Sequence, residues 1–98
     1  MAKIIIETKG DGIHESVIRN RLSLLLASTL SRLTAVHVSL KPKSSMLDTG
    51  INYRCEVEGV YPNAKRFIAA SEHPRPMVAI EGAAQRLRRS IVRDRQFS

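Results

Sequence analysis

A chain of 98 residues, 43% hydrophobic and 26% charged, has the size and composition of one small folded domain and not of a disordered basic tail. Its 16 Lys and Arg outweigh 9 Asp and Glu, for a formal net charge of +7. Such an excess draws in polyanions (nucleic acid, an anionic membrane surface, an acidic protein) and says nothing about fold.

The opening MAKIIIETKG holds an apolar run too short for a secretion signal. Lys3 to Thr8 reads as a strand of β-branched residues ending in the turn KGDG. Those glycines make no phosphate cradle, because no Gly-Lys-Ser/Thr follows them. From about His14 to Leu33 the apolar residues Ile18, Leu22, Leu25, Leu26, Leu30 and Leu33 recur three and four apart, which places them on one helix face. LSLLLASTL lies inside this helix between Arg21 and Arg32. It is far short of the roughly 20 residues that span a bilayer, and its leucines are needed to cover a sheet.

TAVHVSLKPK then alternates, with Val36, Val38 and Leu40 facing one way and His37, Ser39 and Lys41 the other. KPK with Ser44 and Ser45 reads as a basic loop tip, where Lys41 and Lys43 are candidates for phosphate contact. INYRCEVEG alternates again, with Tyr53, Cys55 and Val57 inward and Arg54, Glu56 and Glu58 outward. A fourth strand follows at about Lys65 to Ser71. Pro76 suits a first helical turn, and Ile80, Ala83, Ala84, Leu87 and Ile91 make the apolar stripe of a second helix. No repeat, linker or low-complexity stretch divides the chain, so residues 1–98 are expected to form a single domain. The order β-α-β-β-β-α predicts an α+β domain: one four-stranded sheet with both helices packed on one face.

Helix two ends in RLRRSIVRDR. At roughly 100° per residue, Arg86, Arg89 and Arg93 fall within an arc of about 60°, and Arg75 joins them if the helix starts early. Arg88 and Arg95 fall on the other flank, where Glu81 is placed to offset Arg88. A helix built only for solubility interleaves signs at i and i+4, whereas Arg89 and Arg93 are like-charged at that spacing. The competing reading is a solvated helix end. The same-sign stripe on a strongly basic chain favours a phosphate surface, since arginine forks match phosphate oxygens bidentately.

The element order, LTAVHVSL after helix one and MVAIEGAAQRLRRSI in helix two together resemble the short ribosome hibernation-promoting factors, the ribosome-associated inhibitor or ribosomal subunit interface proteins. The resemblance runs from about Lys3 to Arg95. It implies binding to the small ribosomal subunit and its ribosomal RNA, in the channel that messenger RNA and the transfer-RNA anticodon stems occupy. It also implies steric inhibition of translation and stabilisation of idle ribosomes under stress. The matching basic residues are Arg86, Arg89, Arg93 and Arg95 on helix two and Arg19, Arg21 and Arg32 on helix one. This chain departs from the family pattern at HPRP before helix two, at Val78, and at Ser28, Thr29 and Ser31.

Catalysis has little to stand on. His14, His37 and His73 are far apart, without the convergence that a metal needs. Cys55 points inward with no base beside it in sequence. A single cysteine excludes an intrachain disulfide framework and suits a reducing compartment. The expectation is a cytoplasmic non-enzyme with no cofactor, metal, membrane or small-molecule substrate. The rival readings are a binder of structured RNA other than the ribosome, and a protein-interaction or dimerisation module. The aromatics, Tyr53, Tyr61, Phe67 and Phe97, are too few for a base-stacking platform, so recognition through shape and backbone fits better.

Overall fold

In the computed structural model, which describes residues 2–8, 14–44 and 51–97, apolar alternation settles which way each strand faces. The elements are β1 (Lys3–Thr8), α1 (Glu15–Leu25), α2 (Ala27–Leu30), β2 (Ala35–Ser44), β3 (Ile51–Val60), β4 (Arg66–His73) and α3 (Pro76–Phe97). The sheet order is β1-β2-β3-β4. The β1–β2 pair is parallel, which requires the helical crossover that joins them, and the other two pairs are antiparallel. Val36, Val38 and Leu40 of β2 and Cys55 and Val57 of β3 are buried beneath the helices. They meet Ile18, Leu22 and Leu26 from helix one and Ile80, Ala83, Ala84, Leu87 and Ile91 from α3, all fully buried. Burying one such aliphatic side chain is worth about 1.5–3 kcal/mol, so these two stripes supply most of the domain's cohesion. The predicted α+β architecture, with both helices on one face, is the one observed.

Helix one is not continuous. Leu26 takes φ −104°, ψ 7°, outside helical geometry, and a short second segment follows. The Leu26 carbonyl accepts the backbone N–H of Thr29 at 2.8 Å and of Leu30 at 3.0 Å. It also accepts the Thr29 hydroxyl at 2.7 Å. Serine and threonine hydroxyls compete for backbone groups in this way and bend helices. The break turns Leu33 back onto the core without a long loop.

The KPK segment is not a loop tip. β2 continues through it, and Lys41, Pro42 and Lys43 pair with Arg54, Tyr53 and Asn52 of β3. Among the described residues the β1 register reaches only Thr8, opposite Leu40, and a proline is tolerated where a strand lies at an edge. The KGDG turn and the loop after Ser44 lie outside the described residues. β4 starts at Arg66 and extends to His73. α3 begins at Pro76. Arg75 caps it instead of joining it, its carbonyl accepting the Ala79 N–H at 3.1 Å and its own N–H donating to His73 Nδ1 at 3.0 Å.

Candidate nucleic-acid interface

Two helices resting side by side on a sheet leave a furrow between their outer surfaces. Here it is an open groove of ≈ 620 Å³, lined by Leu25 of α1 and by Gln85, Arg88, Arg89, Val92 and Arg93 of α3. The spacing on α3 produces this directly. Residues 85, 89 and 92 share the face that turns toward α1, and 88 and 93 flank it. The groove has an apolar bed, Leu25 and the 39% exposed Val92, beneath three guanidinium groups.

Among the described residues no carboxylate comes within 4.0 Å of Arg88, Arg89 or Arg93. The acids of α3 are engaged elsewhere. Glu81 reaches across to Arg21 on α1 at 3.8 Å, not to Arg88. Asp94 bonds Lys65 at 2.9 Å, and that ammonium also stands 5.2 Å from the centre of the Phe67 ring. Three like charges are thus held together with no balancing carboxylate among the described residues, the arrangement in which an external phosphate gains most.

The remaining candidates divide. Arg86 turns toward the sheet, donating to the Ala70 carbonyl of β4 at 2.6 Å. Arg19 does the same at the opposite edge, donating to the Ile4 carbonyl of β1 at 2.7 Å, with Glu15 3.9 Å away. Both keep exposed surface, but part of their hydrogen-bonding capacity is already used. Arg21 is half-exposed beside Glu81, and Arg32 is partly buried in the turn after α2. Arg95 belongs to α3, with its side chain outside the described residues.

Lys41 and Lys43 are on the wrong side of the molecule to share a surface with these arginines. They alternate with the buried Leu40, so they project from the sheet face opposite the helices. There Lys43 meets Glu72 at 3.4 Å, which Arg54 also engages at 3.0 Å. Hydrogen bonds from Arg54 and then from Lys43 hold the Glu72 carboxyl below the usual carboxylate range. The segment is strand and not loop tip, because β2 stays paired with β3 through Ser44.

Arg88 and Val92 are the members that sequence reasoning undervalued. Periodicity places Glu81 to offset Arg88, but the packing of α1 brings Arg21 to Glu81 instead. Val92 did carry a signal: it is an apolar residue off the buried stripe, inside the most basic turn of the chain.

No protein-family model and no curated protein sequence matches this chain significantly. Solved structures do. A ribosomal subunit interface protein from Coxiella burnetii superposes with a TM-score of 0.72 over 96% of this chain and 98% of that one, at 11% identity. The N-terminal domain of Protein Y from Thermus thermophilus gives 0.62 over 96% and 99%, at 17% identity. This chain has their fold. At such identities the likeness is one of backbone architecture, and it agrees with the resemblance carried by LTAVHVSL and MVAIEGAAQRLRRSI. No helix among the described residues is long and apolar enough to cross a membrane.

Proposed function

We propose that this chain binds the small ribosomal subunit through phosphates of its ribosomal RNA and, by occupying the channel, keeps out messenger and transfer RNA. The observation that carries the reading is the groove between α1 and α3, lined by Arg88, Arg89 and Arg93, none of which is ion-paired among the described residues. The shared fold of a ribosomal subunit interface protein supports it. The action is steric: no bond is made or broken, and no cofactor is needed. Arg89 and Arg93 keep the leading role predicted for them, and Arg88 joins them. Arg86, Arg19 and Arg21 assist from partly engaged positions. A cytoplasmic location and the stabilising of idle ribosomes under stress go with this reading.

Backbone phosphate contact has a thermodynamic signature. Each neutralised phosphate releases counterions, so log K falls with log salt by roughly 0.7–0.9 per contact. The test is sedimentation of the purified chain with ribosomal subunits at rising salt. Wild type should travel with the small subunit and be released as salt rises. A chain carrying Arg88→Glu, Arg89→Glu and Arg93→Glu, shown to be folded, should stay at the top of the gradient. Co-sedimentation of that variant at wild-type affinity would remove the groove from the interface. Duplex RNA competing as well as subunits would make the chain a general binder of structured RNA.

A further inference from the structure

The face of the sheet turned away from the helices has an acidic centre set between basic ends. One register row runs Ile5, His37, Glu58, Ile68, and the next runs Glu7, Ser39, Glu56. A trough of ≈ 220 Å³ lies along these rows, with Ile5 and Ile68 as its apolar surface and Glu7, Glu56 and Glu58 around them. Ile68 is 65% exposed. In a chain of net charge +7, this is a local acidic patch with an aliphatic centre.

The carboxylates here are weakly matched. Glu56 lies 3.9 Å from Arg54, which makes its closer contact, 3.0 Å, with Glu72. Glu58 lies 3.8 Å from Arg66. Glu7 has no ion pair among the described residues. The ends of the face are basic: Lys3 and Arg66 share one end row, and Lys41 and Arg54 share a row near the other.

We propose that this sheet face docks a protein segment bearing one or two basic side chains among apolar residues. The aliphatic stem of an arginine or lysine would lie along Ile5 and Ile68, as such stems do on apolar surface, with its charged head among Glu7, Glu56 and Glu58. Charge complementarity selects this occupant. RNA would meet carboxylates in the trough. A wholly apolar partner would strip water from three acids and give nothing back. A second copy docked face to face about a two-fold axis would set acid against acid. A long polybasic run would be repelled by the lysines and arginines at the two ends. The surface is opposite the groove, so this proposal stands or falls independently of the ribosomal-RNA reading.

The test is a titration of the isotope-labelled full chain with a short peptide carrying two arginines in an otherwise uncharged, apolar sequence, followed by amide chemical shifts. Shifts should centre on Ile5, His37, Glu58 and Ile68. The combined Glu7→Gln, Glu56→Gln, Glu58→Gln chain should bind about tenfold more weakly, since exposed ion pairs are worth only some tenths of a kcal/mol each. Glu15→Gln, one such charge change on the helix side, should bind as wild type does. Ile68→Lys gives a second variant at a position already exposed, and should also lose binding. The proposal is overturned if the shifts centre elsewhere or the glutamine chain binds equally well. It is also overturned if a peptide with glutamines for its arginines binds equally well, or if the face proves to be occupied by a second copy in sedimentation equilibrium.

Discussion

The guanidinium of Arg86 donates a 2.6 Å hydrogen bond to the carbonyl of Ala70, tying α3 to the edge strand of the sheet. Arg19 mirrors it at the other edge strand through Ile4. Two arginines that sequence alone assigned to RNA therefore also brace the fold, and each holds its helix over an edge strand, where unpaired backbone invites association. Arg86→Ala should lower stability by about 1 kcal/mol, the ordinary net worth of such a bond. Arg89→Ala, with no such partner among the described residues, should stay within about 0.5 kcal/mol of wild type. Urea denaturation of the two variants checks this, and equal midpoints would show that the bracing bond contributes nothing.

Ala64 sits at φ 71° in the turn between β3 and β4, a left-handed conformation that a Cβ makes costly. The turn is otherwise well made, with Asn63 Oδ1 accepting the Lys65 N–H at 3.1 Å. Ala64→Gly should therefore stabilise the chain by about 0.5–1 kcal/mol even after the extra entropy of glycine in the unfolded state. For a domain of this size that is a rise of several degrees in Tm. A fall in Tm on thermal melting would mean that the strain is relieved elsewhere.

Gly82 lies where α3 presses on β4. A Cβ there would stand 2.5 Å from Ser71 Oγ and 3.1 Å from Ser71 Cβ. Gly82→Val should force the helix off the sheet and cost about 1–3 kcal/mol, as overpacking does, despite the low helix propensity of the glycine it replaces. Pairing it with Ser71→Gly should recover part of that loss in denaturant titrations. No recovery would place the cost in the helix itself.

The Cys55 thiol is fully buried, and burial, with a smaller contribution from Glu56, pushes its pKa from 9.0 up to about 12. The folded state thus holds its proton more tightly than the unfolded state does. Stability linked to this group is complete below the unfolded value and is lost as pH rises from about 9 toward 12. Alkylation of the native chain near neutral pH should be slow and should speed up only with unfolding. Fast modification of the folded protein at neutral pH would contradict this.

Much of the architecture could be read along the chain, because strands and helices announce themselves locally. The alternation in AVHVSL and YRCEVE set the faces of β2 and β3, and the stripe from Ile80 to Ile91 set the buried side of α3. These depend on period and burial alone. What was missed depended on neighbours. At the break, the Thr29 hydroxyl bonds the Leu26 carbonyl, and only the strand pairing shows β2 carrying Lys41 and Lys43 past Pro42.

The same division holds for the candidate sites. Charge, composition and spacing were enough to establish a basic domain with a same-sign stripe on its last helix, since helical geometry follows from sequence positions. Which of those arginines remain available was decided by tertiary packing. Arg86 and Arg19 are drawn to edge-strand carbonyls, Glu81 crosses to Arg21, and Asp94 turns to Lys65, leaving Arg88, Arg89 and Arg93 together over the groove. The acidic trough on the opposite face is likewise a property of the assembled sheet. Its residues lie on four strands, and only the register brings Ile5, Glu58 and Ile68 into one row.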